Sequence, residues 1–488
     1  MVRNILAIFF LFCFATTQAQ EKLGYQIKVK IDNFDQKELY LGYYYGDKQY
    51  LKDTAYLASN GWFYFEGEEK LPGGLYLIVM PPDNNFFQMV ITDDEDQWFS
   101  METDAKDAVD KMKIEGSPDN RLFYDYLLFL EKKRPEADKL KEELDALPEG
   151  DKKREKVEAK IKALDEEVMA FQQKIIREHP KTMTAAIIKA NLPLNPPEFK
   201  EDEKGLKAFR WMRQHWFDNL DLADERMLRT PVLQQKVDYF IQKMTVQHPD
   251  SISEAIDQVL EAMRPAEENF KYFLIHFLNE YAKSKIVGMD AVYVHLGLKY
   301  YATGQAPWTD PEQLEKIVDN AKKLEPLLIG KKAPNLLMET QDGSHMSLHQ
   351  FKSPITVLFF WDPDCSHCKK SMPDMVKFAQ DYKDKGVAVF AVCTKLVTRD
   401  DQGNLSLKEV NKCWDTIKEK NMDVFFNTVD PYHRSRYKSV YDIRSTPQIY
   451  VLDEDKTILS KRIGAEQLPE VIDFILEKKA KEAQESGQ

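Results

Sequence analysis

The segment that follows residue 20 alternates between apolar and polar positions with the two-residue period that is typical of β-strands. The run 25–31 is the clearest case, because every second side chain in it is apolar. Turn-forming glycine, asparagine or proline residues separate six further strand-like runs, which lie at 39–45, 50–57, 62–66, 75–80, 86–92 and 97–101. Short strands with such regular turns predict a β-sandwich or a small barrel over residues 20–116.

At Ser117 the apolar pattern changes to a helical period. Ser117 can cap a helix, and Pro118 suits the first helical turn. Steps of four and three residues then join the apolar positions Val157, Ile161, Leu164, Val168, Phe171 and Ile175. This spacing is a heptad seam, and Leu140, Leu144 and Leu147 can face it across the turn at 148–150. We therefore expect an antiparallel helical hairpin inside a helical domain that spans residues 117–326.

Strand and helix patterns alternate in the last part of the chain, residues 327–488. Buried strands are predicted at 355–361 and 387–392, short strands at 335–339 and 423–426, a hairpin at 449–452 and 458–463, and helices at 371–382, 407–420 and 468–480. Strand–helix–strand units predict a largely parallel sheet with right-handed crossovers. The predicted fold class is multidomain α+β and α/β: an N-terminal β-sandwich or barrel, a helical middle domain and a C-terminal α/β domain.

The N-terminus has the pattern of an export signal. Arg3 is followed by an apolar run at 5–14 and by a cleavage site of small residues at 17–19. Residues 1–19 are therefore predicted to be a signal peptide, and the mature chain is expected in the periplasm or cell envelope. Cys13 lies inside the apolar run, which argues against a lipid anchor. The sequence holds no later apolar run long enough to predict a membrane span in the mature chain.

Length and charge narrow the classes of function. A chain of 488 residues is too long for one hydrophobic core, so several domains are expected. The formal net charge of −13 argues against nucleic acid or an anionic membrane surface as the main partner.

Apart from Cys13, the four cysteines lie in the last third of the chain, at positions 365, 368, 393 and 413. Such clustering indicates a redox module, since a framework of structural disulfides would spread cysteines along the chain. A second cysteine or histidine pair that could complete a zinc site is missing from the sequence, so no metal and no dissolved cofactor are expected. Cys393 ends a predicted strand. It can be a buried free thiol, which is the commonest situation, a partner of Cys413 in a disulfide, or a third redox cysteine.

The buried strand 355–361 runs directly into Cys365-Ser366-His367-Cys368, and a helical pattern follows. A thiol in the first turn of a helix meets unpaired backbone N–H groups and the positive end of the helix dipole, and both favour the thiolate. One cysteine of such a pair can attack a substrate disulfide, and the other can resolve the mixed disulfide. The motif in this context predicts thiol–disulfide exchange.

The segment from Ala333 onward resembles the thioredoxin-like family, in its exported TlpA/ResA-type branch of thiol–disulfide oxidoreductases. Four matches carry the resemblance: Ala333-Pro334-Asn335, Phe360-Trp361 ahead of the cysteine pair, Met372-Pro373, and Ser445-Thr446-Pro447. The residues before them look like the accessory domains of unknown function that often precede such modules in envelope proteins of Bacteroidetes.

The resemblance implies a role for individual residues. Cys365 would be the exposed nucleophile and Cys368 the resolving thiol. Pro447 would follow a cis bond after Thr446 and would shape the groove in which a substrate backbone lies. Trp361 would support the active-site turn.

The active-site motif also departs from the family pattern. Phe359 stands where many thioredoxins have a buried acid that helps to move a proton. Ser366 and His367 lie between the cysteines, and His367 can stabilise the nucleophilic thiolate, whereas Asp362 and Asp364 should oppose it modestly. These opposing effects leave the direction of electron flow open.

The predicted function is that of an exported thiol–disulfide oxidoreductase, which exchanges disulfides with envelope proteins and needs a redox partner to turn over. The alternative is an envelope binding or scaffold protein whose thioredoxin-like domain is regulatory or non-catalytic. Peroxiredoxins share the fold, but their cysteine follows a Pro-x-x-x-Thr-x-x-Cys pattern. Leu358 and Asp362 occupy the proline and threonine positions of that pattern here, so antioxidant activity is not expected.

Overall fold

A computed structural model describes residues 24–200 and 204–486. The predicted signal peptide, with Cys13 and its cleavage site, lies outside the described residues. The described residues form two compact units. The first unit contains the residues up to 240 together with 262–269, and the second contains 241–261 and the residues from 270 onward.

The N-terminal segment folds into two four-stranded sheets, with the orders β4-β1-β7-β8 and β3-β2-β5-β6. The strands are β1 Tyr25–Asp32, β2 Glu38–Tyr45, β3 Lys48–Tyr56, β4 Phe63–Gly67, β5 Gly74–Met80, β6 Asn85–Ile91, β7 Trp98–Asp104 and β8 Lys113–Glu115. Strands β1 and β7 are parallel, and the other neighbours are antiparallel. The seven predicted strands are confirmed, β8 was not predicted, and two open sheets are present in place of a closed barrel.

Two long helices, α1 Pro118–Asp145 and α2 Lys152–Glu178, form the predicted hairpin. The Ser117 hydroxyl caps α1 by accepting from the Asn120 N–H at 3.3 Å. The half of the predicted seam nearest the turn packs against α1 in one cluster: Leu140, Leu144, Leu147, Val157, Ile161 and Leu164. Phe171 and Ile175 of the seam belong to a second cluster, with Leu122, Tyr126 and residues of α3. Heptad spacing placed these residues on one face of each helix, and burial of that face joins the two helices.

The helical part continues with seven further helices: α3 Met183–Ala190, α4 Leu206–Gln214, α5 Pro231–Lys243, α6 Pro249–Met263, α7 Glu267–Lys283, α8 Asp290–Leu296 and α9 Pro311–Leu324. A π-helical turn, Gly297–Tyr301, extends α8. Among the described residues, none of the helices is both long enough and apolar enough to cross a membrane.

The C-terminal segment contains a seven-stranded mixed sheet with the order β10-β9-β15-β12-β11-β16-β17. The strands of this segment are β9 Leu337–Glu339, β10 His345–Ser347, β11 Ile355–Trp361, β12 Val387–Cys393, β13 Thr398–Arg399, β14 Leu405–Ser406, β15 Phe426–Val429, β16 Gln448–Asp453 and β17 Ile458–Lys461. Its helices are α10 Ser366–Tyr382, α11 Lys408–Glu419, α12 Tyr437–Val440 and α13 Leu468–Ser486. Strands β13 and β14 pair only with each other.

Several element boundaries in this segment differ from the sequence prediction, among them the starts of α10 and β15. Helix α10 begins at Ser366, ahead of the predicted start at residue 371, because Cys365 acts as its cap. The predicted strand 423–426 is displaced: Met422–Val424 form a 3₁₀ turn, and β15 begins at Phe426. The fold class predicted for this segment is confirmed.

Strand β11 lies between β12, which is parallel to it, and β16, which is antiparallel. All seven of its residues are buried. Phe359 and Trp361 point into a core that contains Cys368 of α10, whereas Leu358 and Phe360 point into the core on the other face of the sheet. Both faces of the sheet are therefore covered, and the chain leaves the sheet at the end of β11 to reach the cysteine pair.

Candidate active site

Cys365 is the N-cap residue of α10, with an extended backbone at φ −72° and ψ 122°. Its Sγ atom accepts a hydrogen bond from the Cys368 N–H at 3.5 Å. A capping side chain normally satisfies an unpaired N–H of the first turn, and here the thiol takes that role. Cys365 is half-buried, whereas Cys368 is 1% exposed. The pair thus contains one accessible and one enclosed thiol.

The bond between Thr446 and Pro447 is cis, as the resemblance implies. The Cys365 thiol donates to the Thr446 carbonyl oxygen at 3.1 Å. The sheet explains this contact, because Phe360 of β11 is paired with Gln448 of β16. The residues just before β16 are therefore held beside the residues just after β11.

The two thiols differ in acidity. Burial alone would raise the pKa of Cys365, but hydrogen bonds from the Thr446 side chain, from Cys368 and from the His367 backbone outweigh burial and hold that pKa below its ordinary value. Burial raises the pKa of Cys368 to about 12, against the hydrogen bond from the Asp362 N–H. Cys365 is thus the thiol that ionises first, which suits it to nucleophilic attack.

The turn between β11 and α10 is tightly hydrogen-bonded. The buried Trp361 offers its carbonyl to the N–H of Thr394 at 2.9 Å and to the Thr394 hydroxyl at 3.2 Å. The Asp362 carboxylate accepts from the Asp364 N–H at 2.7 Å, and the Asp362 carbonyl accepts from the Cys365 N–H at 3.2 Å. These bonds hold the backbone that presents the nucleophile.

A lysine that the sequence analysis did not select lies against the two acidic residues of this turn. Lys395 Nζ is 2.6 Å from an oxygen of Asp364 and 3.2 Å from one of Asp362. Lys412 Nζ is 3.3 Å from Asp364. Hydrogen bonds to these two lysines lower the pKa of Asp364. The lysines therefore offset the negative charge that was expected to oppose the thiolate.

Ser366 and His367 are both exposed on the first turn of α10. The His367 carbonyl accepts from the Ser371 hydroxyl at 2.9 Å, and its N–H lowers the pKa of Cys365. The described contacts thus assign His367 a backbone contribution to thiolate stability. An effect of its imidazole stays a prediction.

Cys393 and Cys413 form a disulfide, with an S–S distance of 2.09 Å. The expectation of a buried free thiol at Cys393 is therefore wrong. Cys393 ends β12 opposite Trp361, and Cys413 lies on α11, which packs on the same core. Both cysteines are completely buried. The bridge therefore ties α11 to the sheet one strand away from the active-site turn.

A cavity of 460 Å³ opens beside Cys368. Its lining includes Trp361, Met372 and Lys412. Cys368 is thus close to space that a molecule can enter, although its own side chain is enclosed.

Three parts of the chain match known families. Residues 329–461 match the AhpC/TSA family. Residues 153–325 match a domain of unknown function (DUF5106), and residues 25–123 match another (DUF4369). The chemistry-bearing match is thus confined to the segment that holds the cysteine pair.

Curated relatives of this segment are named thiol–disulfide oxidoreductase ResA. The protein from Bacillus cereus is 27% identical over 154 residues, which cover 32% of this chain and 80% of the relative. The protein from Bacillus subtilis is 35% identical over 63 residues, which cover 13% of this chain and 35% of the relative.

Two of the similar solved structures are bacterial proteins whose names refer to a thiol-disulfide isomerase or to thioredoxin. A domain of a possible thiol-disulfide isomerase from Cytophaga hutchinsonii is 33% identical and has a TM-score of 0.27, covering 33% of this chain and 98% of the domain. A thioredoxin-like protein from Bacteroides caccae is 18% identical and has a TM-score of 0.41, covering 58% of this chain and 99% of that protein.

Proposed function

The C-terminal part of this chain belongs to the thioredoxin-like family of thiol–disulfide oxidoreductases, and we propose that the whole protein is an exported enzyme that exchanges disulfides with proteins of the cell envelope. One observation carries the proposal: an accessible thiol of lowered pKa caps a helix beside a buried thiol of raised pKa. This difference suits thiol–disulfide exchange, in which the attacking and resolving sulfurs act in sequence.

In the reductive direction, the Cys365 thiolate attacks one sulfur of a client disulfide. A mixed disulfide forms, and the other client sulfur leaves as a thiolate that takes up a proton. Cys368 then loses its proton and attacks Sγ of Cys365. The second client sulfur leaves as a thiolate and takes the proton that Cys368 lost, and the Cys365–Cys368 disulfide remains. The client has then gained two electrons from the pair, one proton from solvent and one from Cys368.

In the oxidative direction the same steps run backwards, and the client gains a disulfide. The sulfur atoms carry the electrons, so the cycle needs no dissolved cofactor. It does need a redox partner to restore the pair, for which a membrane electron carrier or a small thiol is suited. Protein thiols and disulfides are the proposed substrates.

The supporting residues have separate roles in this proposal. Thr446 and Pro447 would border the groove for the client backbone, and Trp361 would fix the active-site turn. Ser366 and His367 would tune the acidity of the nucleophile. The observed contacts of Cys365 with the Thr446 carbonyl and with the backbone of the first helical turn support these roles.

The proposal also includes the division of the chain. Residues 1–19 would be removed on export, 20–116 and 117–326 would be accessory β-rich and helical domains, and 327–488 would carry the chemistry. In the scaffold alternative, the cysteine pair would be inert. The half-buried state and lowered pKa of Cys365 favour the enzyme.

Two serine variants of the mature protein test the mechanism. Cys365→Ser should lose all reductase activity on a protein disulfide, because the nucleophile is removed. Cys368→Ser should accumulate mixed disulfides with the client, because nothing resolves them, and mass spectrometry would detect these species. Equal activity in both variants would exclude the proposed sequence of steps.

A further inference from the structure

A cleft of 700 Å³ opens beside Pro447, the residue that follows the Thr446 carbonyl contacted by Cys365. One wall belongs to the thioredoxin-like part of the chain and includes Ser371 of α10 and Ser445. The opposite wall is helical and is formed by Tyr281 of α7, Tyr293 of α8, and Asn320 and Leu324 of α9. Both walls lie in the same compact unit. The accessory helices therefore border a cleft that begins one residue beyond the Thr446 carbonyl contacted by Cys365.

Side-chain contacts join the two walls. Arg444, just ahead of Pro447, donates to the amide oxygen of Asn320 at 3.2 Å. Lys461 of β17 pairs with Asp290 of α8 and donates to the Leu327 carbonyl at 2.6 Å. The Lys461 side chain is 3% exposed. A buried, doubly bonded lysine fixes the helical wall to the edge of the sheet, so the cleft is a formed feature of this unit.

Around Arg444 and Arg462 the exposed charges are positive, whereas the carboxylate with which both pair is mostly buried. The Asp442 carboxylate accepts from Arg444 Nε at 2.9 Å and from Arg462 Nη2 at 3.4 Å. The Asp442 side chain is 13% exposed, whereas the Arg444 and Arg462 side chains are 68% and 45% exposed. One carboxylate thus lies beneath two guanidinium groups, each of which has five N–H donors. The accessible part of this site is cationic, although the whole chain has a net charge of −13.

We infer that this cleft binds the extended segment next to the target cysteine of a client, and that Arg444 and Arg462 recognise a carboxylate side chain in that segment. The inference rests on the proposed function, since it assigns a client preference to the same active site. Guanidinium groups bind carboxylates through paired, charge-assisted hydrogen bonds. Both arginines line the cleft that adjoins Pro447. The helical wall would then narrow the path of a client peptide past the two arginines, and so restrict which clients can bind.

The test uses the mature protein, reduced beforehand, and three peptides of otherwise identical sequence. Each peptide contains one cysteine joined to 2-thiopyridine, flanked on both sides by glutamate, glutamine or lysine. Release of thiopyridone reports the rate of attack by the protein. The glutamate peptide should react roughly fivefold faster than the lysine peptide at low salt. The ratio should shrink at high salt, because exposed charges are screened.

Variants of the cleft residues identify which side chains cause the preference for the glutamate peptide. The ratio should fall to about one in the double variant Arg444→Gln and Arg462→Gln, because both guanidinium groups are lost. Asn320→Asp places a carboxylate of nearly equal size beside Arg444, and it should also lower the ratio, because the new carboxylate competes with the client for that guanidinium. Arg434→Gln is the matched control, since Arg434 is an exposed arginine that lines a different surface, over Tyr432. The control should keep the wild-type ratio.

The outcomes separate this inference from the proposed function. A wild-type protein that attacks all three peptides at one rate, or arginine variants that keep the wild-type ratio, would overturn the inference and leave the oxidoreductase proposal in place. A protein that reacts with none of the peptides, and with no small uncharged disulfide, would overturn both. Thermal unfolding of each variant, compared with the wild type, identifies any loss of ratio that comes from misfolding.

Discussion

The Sγ atom of Cys365 lies 3.1 Å from the carbonyl oxygen of Thr446, although 81 residues separate the two in the chain. The sheet brings them together, because β16 pairs with β11 and Phe360 lies opposite Gln448. The Cys365 thiol and the cis peptide bond at Pro447 are therefore positioned by one strand pairing. In the proposed function, a client backbone that lies along this proline also reaches the thiol.

The acidity of Cys365 predicts how its reactivity depends on pH. Burial opposes ionisation, but the hydrogen bonds around the thiol prevail and lower its pKa. The thiolate fraction therefore declines only when the pH falls through a value below the ordinary cysteine pKa of about 8.5. Alkylation by iodoacetamide, followed across pH, should show a midpoint below that value. Cys368 should remain unreactive until the pH approaches about 12.

Thr446→Val provides the control for this profile. The substitution replaces the hydroxyl by a methyl group of similar size and removes a hydrogen bond that lowers the Cys365 pKa. The midpoint should move upwards, towards the ordinary value. A wild-type midpoint at or above about 8.5 would be incompatible with a stabilised thiolate.

Lys395→Gln tests the charge balance of the active-site turn. The Lys395 side chain is 16% exposed and pairs with both Asp362 and Asp364. Without it, two carboxylates near the thiol lose their main cation, so the pKa of Cys365 should rise. The rate of alkylation at neutral pH should therefore fall about threefold, and the same assay would measure it.

The double variant Lys395→Gln with Asp364→Asn should restore part of the lost reactivity, because one of the two carboxylates is removed as well. If the single variant keeps the wild-type midpoint, Lys395 does not influence the nucleophile.

The features that depend on local periodicity could be predicted from the sequence alone. The buried strand that leads into Cys365, and the heptad seam around Leu164, follow from spacing alone, because side chains on one face of an element must be apolar to be buried. Capping at Ser117 was also predictable from local sequence, since hydroxyl side chains satisfy the first N–H groups of a helix.

The ion pairs at the active site could be identified only from the folded structure. Lys395 lies two residues beyond β12, and its partner Asp362 directly follows β11. The carboxyl ends of parallel neighbouring strands meet at one edge, so the predicted strands already indicated that these two residues lie close together. The bridge between Cys393 and Cys413 could not be decided from spacing, because disulfide connectivity depends on how helix α11 packs.

Replacement of Cys393 and Cys413 by alanine tests whether their bridge is structural. The bridge spans 20 residues, and the entropy of the loop that it closes corresponds to about 3 kcal/mol. The free energy of unfolding in urea should fall by about that amount, and the alkylation midpoint of Cys365 should not change. A large change in that midpoint would place the bridge in the redox cycle instead.

Hydrogen peroxide distinguishes this enzyme from a peroxidase of the same fold. Leu358 is buried in β11 and Asp362 is paired with Lys395, so neither supplies the proline or the threonine hydroxyl of the peroxiredoxin pattern. The reduced protein should therefore react with peroxide no faster than a simple thiol of matched pKa. A rate that is faster by orders of magnitude would show a peroxide site that this pattern does not describe.

The central claim is that Cys365 and Cys368 form one reversible redox couple, and equilibration of the mature protein in defined glutathione buffers tests it most directly. Differential alkylation and mass spectrometry would give the fraction of the pair that is oxidised in each buffer. We expect a single two-electron transition, with a potential between those of thioredoxin and the strongest oxidants, about −270 to −120 mV. A pair that stays in one state throughout this range, whichever buffer it has met, would contradict the claim.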